Sequence, residues 1–203
     1  MKFIKWKILI ITAAVCLVPI FFGLFLWENL PETMAIHFDI NNNPDNFASK
    51  AFVVFGLPVM MALLQLISCL INDINAKKHG DRIKFEIAVK WIIPVMCVVL
   101  QIITLAYGLG VMIDIRRVAM IIVALVLIVI GNYMPKLDYV KNADVDTQKA
   151  RKINRFTGNL TVILGVLCFI SAFLPTVFSI VCIILIMPCA IICTIYGIVV
   201  SKK

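Results

Sequence analysis

Apolar and polar positions fall in long blocks along this chain. Six apolar runs, at residues 8–27, 51–71, 91–111, 118–134, 157–174 and 177–200, are separated by short polar stretches. Crossing a hydrocarbon core takes roughly 17–25 apolar residues as a helix, and each run meets that length. Exposed strands would leave backbone groups unsatisfied in lipid, so the runs are expected to be helices. The pattern predicts an all-α integral membrane protein, a single polytopic membrane domain over residues 1–203 with six transmembrane helices. Pro19, Pro58, Pro94 and Pro188 lie inside or near the starts of runs, where transmembrane helices tolerate them as kinks. Only Leu174-Pro175-Thr176 separates the fifth run from the sixth. The proline and the combined length predict a tight helical hairpin there.

Composition supports the same frame. The chain of 203 residues is 63% apolar and 15% charged, with a mean hydropathy of +1.05. A soluble domain sits nearer half apolar and a quarter charged. The net charge of +8 does not point to direct nucleic-acid binding, because the positive charge sits in short loops between apolar runs. Of the 19 basic residues, all but Lys50, Arg116 and Arg117 fall on one side of the six-span arrangement. Basic loops collect on the cytoplasmic side, so both termini are expected inside and residues 28–50 outside. The first run follows a basic start but continues to Trp27 without an A-x-A-like site, which predicts an uncleaved span rather than a signal peptide. All seven cysteines lie inside apolar runs and are expected as small packing residues, not a disulfide framework. Cys182, Cys189 and Cys193 share a helical face; a row of small residues at a helix contact is the preferred reading over a soft-metal site.

The outer loop carries the densest signals. Met34, Ile36, Phe38 and Ile40 alternate with Ala35, His37 and Asp39, and period two predicts a short strand. Residues 41–46, Asn-Asn-Asn-Pro-Asp-Asn, are a turn signal. Ser49 is a plausible N-cap for the second span. Glu28, Glu32, Asp39 and Asp45 face Lys50 alone, so the loop is acidic and suits a cationic peptide or a metal ion. On a regular strand His37 and Asp39 share a face, as metal ligands, as a peptide contact, or simply as solvated residues. Two ligands without a third make a weak metal signal, so the solvated reading is preferred and no metal or cofactor is expected.

The two inner loops, residues 72–90 and 135–156, read as basic and polar. In the second, acidic residues at 144–146 precede Lys149, Arg151 and Lys152, an order that suits a helix dipole. A surface helix on the inner leaflet, running into the fifth span, is expected. No ionisable residue falls within the six runs, which argues against an ion-coupled transporter. Gln65, Gln101, Thr104, Asn159 and Ser171 are the main polar residues there and are expected to join helices, while Gly158 and Gly165 serve close packing. No constellation for catalysis is present, so no enzyme activity is expected.

Two motifs carry a family resemblance. Leu30-Pro31, Ile36-His37-Phe38, Asn43-Pro44-Asp45 and Ser49-Lys50 resemble the signature LP…I-H-W/F…G-x-P-D…S-K of the SdpI immunity-protein family. Phe55-Gly56-Leu57-Pro58 is similar to that family's next segment, and Gly131-Asn132-Tyr133-Met134-Pro135-Lys136 to its G-N-x-M-P-K element. The resemblance implies a six-helix bacterial cytoplasmic-membrane protein that protects against a secreted toxic peptide and signals by holding a cytoplasmic repressor at the membrane. It implies Pro31, His37, Phe38, Asp39, Pro44, Asp45 and Lys50 as outer contacts, and Asn132, Pro135, Lys136, Arg151, Lys152 and Arg155 as inner ones. The sequence departs from the family after Lys136, where G-I/L-R-T-P-W-T is replaced by Leu137-Asp138-Tyr139-Val140-Lys141-Asn142, and at Asn42 or Asn43, where glycine is usual. The first departure bears on signalling more than on fold. The rival readings are a small carrier or efflux protein for an amphipathic compound or peptide, and a structural accessory subunit.

Overall fold

A computed structural model describes residues 4–79, 83–136 and 147–202. Six long helices run in order: α1 (Trp6–Phe25), α2 (Leu57–His79), α3 (Ile83–Gly108), α4 (Ile115–Tyr133), α5 (Thr147–Ser171) and α6 (Thr176–Lys202). A 3-10 turn, Trp27–Asn29, and an antiparallel hairpin of β1 (Thr33–Phe38) and β2 (Pro44–Ser49) separate α1 from α2. Among the described residues, six stretches are long and apolar enough to cross a membrane: Trp6–Phe25, Phe52–Ile74, Ile87–Gly108, Ile115–Lys136, Gln148–Ser171 and Thr176–Val200. Each expected run falls on one of them.

Two boundaries differ from expectation. The polar stretch at 72–90 is helical up to His79 and again from Ile83, so the second and third spans reach Asp73 and Lys90. Hydropathy ends a span at a charge, but here the two charges cancel each other. The fifth span starts at Gln148 because α5 runs unbroken from Thr147 to Ser171. Residues 144–146 of the expected helix start lie outside the described residues.

The chain forms two compact units, Met1–Lys78 with Glu86–Ile115, and His79–Phe85 with Arg116–Lys203. In the first, α1, α2 and α3 meet through small side chains: Cys16, Ala62 and Cys97 are buried together, flanked by Met61 and Ile93. Small residues let helix backbones approach closely where lipid leaves little hydrophobic drive. A side-chain carbon on Gly23 would lie 2.6 Å from Val54, so α1 fits against the entrance of α2 only as glycine. At the hairpin end Leu30, Met34, Val53, Val54 and Leu105 form a second core.

Helix α2 is entered through a π-helical turn, Phe52–Gly56. Pro58 explains it. The N–H of Leu57 reaches Phe52 O, one residue beyond the α-helical partner. A π bond to Val53 O would have to come from Pro58, which has no N–H. The Gln101 amide of α3 fills that gap, donating to Val53 O at 2.8 Å. Gln101 thus joins two helices, as expected of it.

In the second unit α4 and α5 cross at glycines. A side-chain carbon on Gly158 would lie 2.6 Å from Gly131 O, and one on Gly165 3.0 Å from Ala124 O. Met120, Ala124, Leu164, Cys168, Ala172 and Cys182 form the core, with Cys189 packed on it. Phe156 and Tyr196 stack at 4.1 Å between α5 and α6. The α5–α6 hairpin turns tightly at Pro175; there Arg116 donates to Ser179 Oγ at 2.8 Å, and Ser179 Oγ to Ser171 O at 3.2 Å. All seven cysteines are free thiols.

Candidate functional site

The hairpin is the most elaborate polar structure of the first unit. Its pairing runs Thr33 with Ser49, Met34 with Ala48 and Ala35 with Phe47, then His37 with Asn46 and Phe38 with Pro44. Ile36 is therefore an extra residue in β1 and Asp45 an extra residue in β2. Two compensating bulges interrupt the expected alternation, since each bulge changes which face the following residue meets. Met34 and Ala35 are both buried while Ile36 is exposed. His37 and Asp39 do not work as a pair on one face. Instead His37 Nδ1 meets Asp45 Oδ1 across the hairpin at 2.5 Å, with the two side chains 67% and 46% exposed.

Asp39 organises the turn. Its Oδ1 accepts the N–H groups of Asn41 at 2.8 Å and Asn43 at 2.7 Å, and its Oδ2 the Asn43 amide. These bonds favour the carboxylate, that from the Asn43 backbone foremost, and hold its pKa below 3.8. Asn42 has φ +67, the left-handed region that glycine prefers and asparagine tolerates. This gives a physical account of an asparagine where the resemblance has glycine. The Asn42 side chain also donates to Ile113 O at 3.0 Å and accepts the N–H of Ile115 at 2.7 Å, capping the start of α4.

Three contacts mount the hairpin on helix ends. Phe38 packs edge-on against Tyr107 of α3 at 4.8 Å. Met34 fills the space beside Gly108. Lys50, 10% exposed at its side chain, pairs with Glu32 at 2.9 Å, donates to Trp27 O and Leu30 O at 3.4 Å, and stands 4.9 Å over the Trp27 ring. Ser49 Oγ accepts the Phe52 N–H at 3.3 Å, the expected N-cap. Phe38, Asp39 and Lys50 thus build the platform. Pro31, His37 and Asp45 face outward beside exposed Ile36, Ile40 and Phe47, with Pro44 half-buried at the start of β2.

A second polar cluster lies at the opposite end of the same unit, and the sequence pattern missed it. Asp73 and Lys90 are buried, with Lys90 Nζ 2.5 Å from Asp73 Oδ1. Asp73 Oδ2 accepts the Lys5 N–H at 3.1 Å. Gln65 Nε2 donates to Lys90 O at 2.8 Å and contacts Cys69 Sγ at 3.1 Å, while its Oε1 is buried without a partner among the described residues. Thr12 Oγ1 reaches Cys69 Sγ at 3.8 Å. Ionisable residues do therefore fall within the spans. Gln65, Cys69 and Asp73, spaced by four, were the available signal.

The inner candidates belong to the second unit. Pro135 packs on Gly158. Lys136 donates to Asn132 Oδ1 at 3.3 Å and stands 5.2 Å over the Tyr133 ring. Arg151, Lys152 and Arg155 are exposed on the first turns of α5. Among the described residues, no group of three metal-ligating side chains is present.

The family described as "Domain of unknown function (DUF1648)", a domain found in membrane proteins, matches residues 14–62. That match runs from within α1 through the hairpin into α2. No curated protein and no solved structure matches the chain.

Proposed function

We propose that this protein sits in the bacterial cytoplasmic membrane with both termini inside and confers immunity to a secreted toxic peptide, which meets the hairpin on the outer face. One observation carries the reading. The hairpin is fixed to three helix ends by Phe38, Met34, Lys50 and Asn42, yet leaves His37, Asp45, Ile36, Ile40 and Phe47 exposed. Rigid mounting of exposed side chains is what a recognition surface needs. The distribution of basic residues supports the orientation. Signalling through a cytoplasmic repressor is a further part of the proposal, with Lys136, Arg151, Lys152 and Arg155 as its docking charges. The test is survival of a sensitive bacterium expressing the protein when challenged with the secreted peptides of its source strain. Protection at good membrane levels is expected; its absence at those levels defeats the reading for those peptides.

A carrier for an amphipathic compound is the second reading. The buried Asp73–Lys90 pair favours it, because charges within spans mark transport paths. Uptake or efflux in proteoliposomes of the wild-type protein, at rates above those of empty vesicles, would favour the carrier over immunity.

A further inference from the structure

We propose that the Asp73–Lys90 pair is a register lock, holding α2 in one of two rotational states set by the π turn at its entrance. The proposal stands apart from what the hairpin binds.

The π turn is an exchangeable arrangement. As it stands, Leu57 N–H bonds Phe52 O and Gln101 bonds Val53 O. In an α-helical turn Leu57 N–H would bond Val53 O instead and release Gln101. In that state Val54 O would face Pro58, which has no N–H, so Pro58 itself weighs against the α-helical turn. A π turn amounts to one extra residue in an α-helix. Its loss would turn the rest of α2 by about 100° and move it about 1.5 Å along its axis.

The far end of α2 permits only one of these states. Gln65, Cys69 and Asp73 form a stripe facing Lys90 of α3 and the start of α1. A rotation of that size would carry Asp73 away from Lys90 and leave two uncompensated charges at a buried site. Breaking a buried pair is strongly unfavourable, and fixing register is the best-attested role of such pairs. Strand β2 runs through Lys50 directly into the π turn. A pull on the hairpin therefore acts on the turn whose loss the lock opposes.

Thr12 and Cys69, in contact at 3.8 Å, report the register. In the full chain, Thr12→Cys is expected to form a disulfide with native Cys69 on mild oxidation, read by mass spectrometry of the linked peptides. Adding Lys90→Met removes the lock, and adding Pro58→Ala supplies the N–H that Val54 O lacks in the α-helical turn without touching a charge. Each is expected to lower the linked fraction at least about fivefold in monodisperse detergent-solubilised protein. Undiminished linking in either monodisperse variant overturns the proposal, as does a loss confined to aggregated material.

Discussion

Two side-chain pairs in the first unit have the same 2.5 Å separation and opposite settings. His37–Asp45 lies on the hairpin with side chains 67% and 46% exposed, and Asp73–Lys90 is fully enclosed. Distance alone says nothing of their energies. Water screens the first pair, so it contributes between nothing and about 1 kcal/mol. The second has given up its solvation, and removing one partner leaves a bare charge at a cost of about 3–5 kcal/mol. One pair is free to be used in binding; the other is committed to the fold.

The largest expected effect follows from the enclosed pair. Lys90→Met or Asp73→Ala should each lower thermal stability in detergent and membrane abundance sharply, by about 3–5 kcal/mol. Joint replacement by Asp73→Leu and Lys90→Leu should recover much of that loss, because no unpaired charge remains. Gly158→Leu comes next. A side chain there must displace the Gly131 backbone, so α4 and α5 separate; overpacking of this kind costs about 1–3 kcal/mol, read as a lower melting temperature. Asn42→Ala should cost about 1 kcal/mol through the lost cap on α4 and the φ of +67, and should speed proteolysis at the hairpin. The smallest effect is acid loosening of the hairpin tip. Asp39 has a folded-state pKa below 3.8, so its contribution is complete above that value and fades only as pH falls through the lowered one. Backbone hydrogen exchange at Asn41 and Asn43 should be unchanged from neutral pH down to about 4, after correction for intrinsic rates. Their protection should fall below that.

The spans, the strand, the Ser49 cap and the glycine crossings were legible because each depends on local pattern or on residue size. The hairpin bulges were not. Nothing in Met34 to Asp39 states that Ile36 will be skipped, since the skip depends on Asp45 supplying a matching irregularity further along the chain. Asp73 and Lys90 were misplaced for a related reason. Counted singly, each charge ends an apolar run, and only the fold brings them together to extend both spans. Lys50 was legible as a candidate, while its burial over Trp27 depends on a 3-10 turn that composition does not announce.

The most direct measurement is a matched comparison of Asp45→Ala and Asp73→Ala in the survival assay, with membrane levels quantified in the same cells. The account predicts that Asp45→Ala reaches wild-type levels but loses protection, whereas Asp73→Ala fails through loss of the protein itself. Full protection by Asp45→Ala at wild-type levels would contradict a role for the exposed pair in recognition.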